Sequence, residues 1–593
     1  MKVVRACCLA PFDFAQGTRW LKVVRACCLA PFDFAQGTRW LSGVKACRLN
    51  GVKTRESDFY TVHHIGKSMK LNLLEIGTFI LYLAAVIFVG FSAGRKGKQS
   101  TSDFFLAGRR LPWFVIGFSL IASSISSEQF IGEVGWAYRY GMAVSNWEWL
   151  VWPAQGLLLF FFLPVYLHNK IFTIPEYLTR RFGRLAGSTF ALVCMAQYLV
   201  INLPLVLYSG AFVLNKIFNM NMVLAIWILV LAAGSYTIFG GMSAVAWVDL
   251  LNGLILIIGG LAVFIIGVFA VDGGLPAVIG SGERAHLMLP ADHPELPWTG
   301  MLAVALVMSG YYYSTNQFMT QRCLSARSVW DGKMGVILAG FLAIPLALSV
   351  TWPGMIAYAL NPHLAEADTA YPYLISTLIP VGFRGLVFAM LIGAIMSTLD
   401  SLVNSTSSLL TLDIYKGHIN KQASDRHLVI FAQISGGFIL LFSALWAPMV
   451  GRFSSIFAYA QECWALMLAP VMAVFVLAIF WKRMSRRAAI SVLFFAFPML
   501  LIVFLRQFTG IMAHINIFNL SALIFLISLL LAVCMSLLRP DPENNIDSNT
   551  LWHPDLLKLP AAERVGRFPW WKSIEFWFAA LVLTFAVIYA VWW

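Results

Sequence analysis

The chain has 593 residues, 60% of them hydrophobic and 12% charged, with a mean hydropathy of +0.77. Soluble domains run near 45–50% apolar and about 25% charged, so these figures exclude a soluble globular fold and define an all-α polytopic membrane protein. The formal net charge of +14 does not point to a nucleic-acid partner, because the cations fall in alternate loops between apolar segments.

Residues 1–68 stand apart. Residues 2–21 recur unchanged at 22–41, and a degraded third copy begins near Val44. Identical tandem copies read as a translated nucleotide repeat. This stretch is therefore expected to be a disordered, mis-assigned start, with the transmembrane domain occupying 69–593 from Met69. The competing reading is a metal or redox tail on Cys7, Cys8, Cys27, Cys28 and Cys47, which lacks CxxC spacing and a partnering His. Cys194, Cys323, Cys463 and Cys534 are scattered and read as core residues.

From residue 72 the sequence predicts fourteen spans, near 72–94, 112–134, 142–167, 186–215, 221–240, 246–272, 298–320, 333–361, 383–415, 427–449, 453–481, 487–507, 517–538 and 571–592. Each can cross about 30 Å of hydrocarbon at about 1.5 Å per residue. Cations follow the odd-numbered spans: Arg109 and Arg110, Arg180 and Arg181, Arg322 and Arg327, Lys416 and Lys421, Arg483 and Arg486. The positive-inside rule makes these loops cytoplasmic. An even span count then turns both termini outward from a cell (inner) membrane.

The second span is interrupted by Ala122-Ser-Ser-Ile-Ser-Ser-Glu-Gln129, and Glu148 follows inside the next apolar run. Unwound backbone and carboxylates at membrane depth survive only where they line a protein cavity or aqueous path, and secondary transporters build ion and solute sites there. Gln129 alone also suits a helix–helix hydrogen bond. The seventh span holds Ser309-Gly-Tyr-Tyr-Tyr-Ser-Thr-Asn-Gln317, whose tyrosines suit either interfacial anchoring or a cap on a sugar. The ninth reads Ser397-Thr-Leu-Asp-Ser401. Its hydroxyls either bond their own helix or offer a hard cation the oxygens it prefers.

Taken together, these residues resemble the sodium/solute symporter family, and specifically its bacterial sodium/galactose branch. The matching stretches include Ser119 to Gly132, Thr173 to Tyr177, Tyr236 to Ala244, Trp247 to Asp249, Gln317 to Arg322, Asn404 to Lys416 and Gln461-Glu462. The resemblance implies a LeuT-type fold whose inverted five-helix repeats occupy about 112–272 and 298–481, with alternating access driven by Na+ as coupling ion. It implies a sodium site from backbone oxygens of Ala122, Ile125 and Ala394 with the hydroxyls of Ser397 and Thr398, and Asp249 on the inward exit path. It further implies solute binding by Gln129, Glu148 and Gln461, an inner gate at Tyr312, and outer-gate aromatics Trp147 and Phe457.

Four positions depart from the galactose-type pattern: Ser309 for Asn in the solute site, Ala343 for Lys, Val151 for Ser and Glu133 for Met. The expected function is sodium symport of a monosaccharide or polyol by a lipid-embedded transporter, with galactose itself in question. A carboxylated solute such as a sialic acid would want a cation, and Arg139, the candidate, is expected at the outer surface. A non-transporting sodium or sugar sensor is the alternative from another class. No nucleophile–base–orienter set suggests an enzyme. Asp400 and Ser401 either join a second sodium site or serve their own helix. Nothing in the sequence sets an oligomeric state.

Overall fold

A computed structural model describes residues 72–593 apart from 95–99, 381, 453–455, 511, 513, 542–546, 561–562 and 564–569. The extension expected at 1–68 lies outside the described residues. These are helical, with no strand beyond two isolated bridge pairs. The helices that position the site are α1 (Leu73–Gly94), α2 (Trp113–Ser124), α3 (Val134–Tyr140), α4 (Asn146–Trp149) and α5 (Met222–Ala270). They continue as α6 (Ser309–Ser314), α7 (Gln317–Leu324), α8 (Val329–Val350), α9 (Arg384–Ser408) and α10 (Ile456–Phe480).

Among the described residues, eleven helices are long and apolar enough to cross a membrane. The second, fifth and seventh of the fourteen predicted spans fall on shorter or interrupted helices. The protein is multi-pass, and its outward faces are oily: Leu73, Phe269 and Leu538 are each more than 80% exposed, as lipid-facing side chains are.

Two predicted spans, 221–240 and 246–272, run together as α5, with a kink at Gly241 (φ 60, ψ −166). Only glycine adopts that conformation freely, and a Cβ there would lie 2.5 Å from the Phe104 carbonyl oxygen. Helix α9 is the core of the molecule: nearly every residue from Gly385 to Ser408 is buried, whereas α1 buries five of its 22. Its Gly, Ala, Ser and Thr residues let α1 and α5 approach closely.

Two spans are broken, as the sequence predicts. Helix α2 stops at Ser124 because Ile125 is extended (φ −110, ψ 128), and the chain resumes as a π turn at Gln129–Glu133 leading into α3. Between α6 and α7 the break falls at Thr315 and Asn316, whose N–H groups both donate to the Tyr311 carbonyl at 2.9 and 3.0 Å. Freed backbone groups therefore find protein partners instead of lipid.

Candidate functional site

The first break is stapled by its own sequence. The Ser126 N–H donates to Gln129 Oε1 at 2.8 Å, and Gln129 Nε2 donates to the Ser124 carbonyl at 3.1 Å. The same Gln129 lines a central cavity together with Trp147 and Glu148 of α4, Ser309 and Tyr312 of α6, and Gln461 of α10. Thr398 of α9 reaches the cavity wall as well. Six predicted solute and gate residues thus converge from four separate stretches of chain. The side chain of Phe457 lies outside the described residues.

The polar groups of the cavity differ in how they are used. Gln129 gives one donor and one acceptor to the break and keeps one of each. Gln461 is 1% exposed, and neither its Oε1 nor its Nε2 has a hydrogen-bond partner. A buried amide in that condition costs free energy unless something else supplies partners. Tyr312 stands edge-on to Phe318 at 5.5 Å, and Trp147 stands edge-on to Trp136 at 5.7 Å and to Phe518 at 5.5 Å.

Of the departing positions, Ser309 and Val151 lie in the wall, and Ala343 is buried in α8 away from it. Glu133 sits off the cavity, fully buried, and accepts from Thr351 Oγ1 at 2.5 Å. Arg139 is exposed and lines no part of the cavity.

At the foot of the break, Thr398 Oγ1 lies 3.1 Å from the Ile125 carbonyl, 3.2 Å from that of Ala394 and 3.3 Å from that of Ser123. One hydroxyl proton can serve only one of three carbonyls, so this is an oxygen-rich corner suited to a hard cation. Ile125, Ala394 and Thr398 come together as expected. Ala122 is buried in the last turn of α2. The hydroxyl of Ser397 turns instead to Asp249 Oδ1 at 2.5 Å.

Asp249, fully buried in α5, also accepts from Ser119 at 2.5 Å and Ser123 at 3.1 Å. It pairs with Arg322 of α7 at 3.2 Å. Arg322 further donates to Ser119 Oγ at 2.7 Å, to Ser123 and Ser401 hydroxyls, and to the Phe318 carbonyl. The sequence places Arg322 in a cytoplasmic loop; it is 1% exposed, because α7 carries the chain on through Leu324 inside the protein. Asp400 and Ser401 are not brought together. Ser401 faces Arg322 and Ser123, whereas Asp400 accepts from Thr237 on α5, as neighbours about 100° apart on one helix must.

Sequence reasoning missed Glu128, Trp464 and Ser123 as wall residues. Glu128 adjoins Gln129, and side chains adjacent on a helix normally face apart. The interruption at Ile125, visible in the sequence as a Ser-rich run, is the signal that could have found it.

Two broken spans enclosing a polar cavity, with a cage of oxygens at its edge, define a membrane transporter of the ion-coupled secondary class. A family model for the "Sodium:solute symporter family" matches residues 104–495. The chain belongs to the sodium:solute symporter family, and it is a transporter rather than an enzyme. It is 35% identical over 453 residues to the sodium/glucose cotransporter of Vibrio parahaemolyticus, covering 71% of this chain and 83% of the relative. It is 32% identical over 545 residues to the sodium/myo-inositol cotransporter of Mus musculus, covering 81% and 76%. Its fold matches a substrate-bound, outward-open Na+-coupled sialic acid symporter with a TM-score of 0.70 at 23% identity, over 80% of this chain and 100% of that one. The coupling ion is Na+, and the fold is of the LeuT type.

Proposed function

We propose that this protein carries a small hydroxylated solute, a monosaccharide or polyol, into the cell with sodium by alternating access. The observation that carries the reading is the unpartnered amide of Gln461 in the same buried cavity as Glu148, next to the Thr398 oxygen corner. Sugar hydroxyls both donate and accept, which is what a carboxylate and a free amide require. The relatives named for glucose and myo-inositol support that solute class.

In this reading Ala122, Ile125, Ala394, Ser397 and Thr398 hold sodium, and Asp249 receives it on the way inward. Gln129, Glu148, Ser309 and Gln461 hold the solute. Tyr312 closes the inner side; Trp147 and Phe457 close the outer. The transporter sits in lipid of the cell membrane with both termini outward, and residues 1–68 take no part. A carboxylated solute is disfavoured, since no Lys, Arg or His among the described residues lines the cavity and Arg139 is exposed.

Uptake of labelled glucose, galactose and myo-inositol into proteoliposomes tests this, with an inward sodium gradient against potassium. Sodium-driven accumulation of at least one is expected. Thr398→Ala should weaken sodium activation about tenfold or more, and Glu148→Ala should abolish accumulation. Equal uptake in sodium and potassium would overturn the coupling.

A further inference from the structure

We propose that the hydroxylated solute of this cavity bears a protonated amine, as an amino sugar or an aminated cyclitol does. The inference rests on the symporter reading above and narrows its substrate.

The cavity wall is one-sided in charge. Glu128 and Glu148 both line it and are 5% and 7% exposed. Behind them Glu133 is fully buried and within electrostatic reach of both. The buried guanidinium of Arg322, which does not line the cavity, is held by Asp249 and three serine hydroxyls and compensates that network instead. Ionised together, two carboxylates in one wall outnumber the single charge of a sodium ion at Thr398, and a cationic solute supplies the balance.

The hydrogen-bonding inventory points the same way. Glu128 Oε2 and Gln461 Oε1 are buried acceptors without a donor, in the same cavity as Glu148. An ammonium offers three donors and no acceptor, together with a second positive charge beside that of sodium. A neutral hydroxyl supplies one donor and leaves the charge where it was. The rings of Tyr312 and Trp464 in the wall give an ammonium an aromatic face as well. The remaining partners, Ser309 and Gln461 Nε2, are left to the hydroxyls of the same solute.

The full-length protein in detergent provides the test, with binding followed by quenching of the wall tryptophans Trp147 and Trp464. In sodium at neutral pH, glucosamine is expected to bind about tenfold or more tighter than glucose. N-acetylglucosamine, which keeps the ring and loses the charge, should bind no tighter than glucose. Glu128→Gln should cut the glucosamine-to-glucose preference about tenfold. The comparison of glucosamine with its acetylated form needs no variant, so a misfolded Glu128→Gln would not rescue the idea. In proteoliposomes glucosamine should accumulate with sodium. Sodium-driven accumulation of a neutral sugar, with glucosamine bound no more tightly, would overturn the amine and leave the symporter standing. No sodium-dependent uptake of any probe would overturn both.

Discussion

Asp249 and Arg322 meet at 3.2 Å with 0% and 1% exposure. Desolvating both charges is expensive, and the pair is tolerable because each is also wrapped in serine hydroxyls. Removing one partner leaves the other buried and uncompensated, at a cost of about 3–5 kcal/mol. Asp249→Asn is therefore expected to lower the thermal unfolding midpoint in detergent markedly. The double variant Asp249→Asn with Arg322→Gln should recover most of the loss. An unchanged midpoint in the single variant would mean that the charge is balanced elsewhere. Asp249 was legible through the family resemblance, which marks it as the acidic residue of the inward sodium path. Arg322 was not, because counting loop cations treats every Arg after a span alike and cannot see that α7 folds back into the protein.

At the scale of elements, the broken spans were the most legible part of the fold. Ser-rich, amide-bearing runs cannot continue as lipid-exposed helix, and the breaks lie at 125–126 and 315–316 inside the predicted segments. The function of Gln129 was only half legible: it lines the cavity as expected, yet one donor and one acceptor of its amide hold the break open. That dual duty depends on a backbone path no spacing rule encodes. The kink in α5 is a second element-scale device, and it depends on one residue. Gly241→Ala would force an alanine into a conformation open to glycine and press its Cβ against the Phe104 carbonyl. About 1–3 kcal/mol of strain is expected, beyond the clash itself. Thermal unfolding of that variant should show a lowered midpoint, whereas Gly437→Ala on an open helix face, with nothing within 4 Å, should not. Equal midpoints for the two would mean the kink relaxes freely.

For the molecule as a whole, the question is how sodium at the proposed site, on one edge of the cavity, governs access to it. Gln461 lines both the central cavity and a vestibule beyond it, whose walls include Arg506 at a helix end and His293, Glu295 and Asn516 from loops that the cation pattern puts outside. The barrier on that side is thin, a row of rings from Tyr140 through Trp136 and Trp147 to Phe518. On the other side stand Tyr312 against Phe318 and, deeper, the Asp249–Arg322 network. In the proposed reading, sodium at Thr398 ties α9 to the unwound Ile125, so it can favour only the state in which those two stay together. An ion with equal affinity for both states would shift nothing. A cysteine placed at Ser309 reports the outcome, because Cys194, Cys323 and Cys463 are buried and the unsubstituted protein gives the background from the rest. Labelling of Ser309→Cys by a charged, membrane-impermeant thiol reagent from the vestibule side should run several-fold faster in sodium than in potassium. Adding Thr398→Ala should erase that difference while leaving the rate in potassium unchanged. Sodium-independent labelling would break the link between the oxygen corner and the gate, even in a protein that still binds its solute.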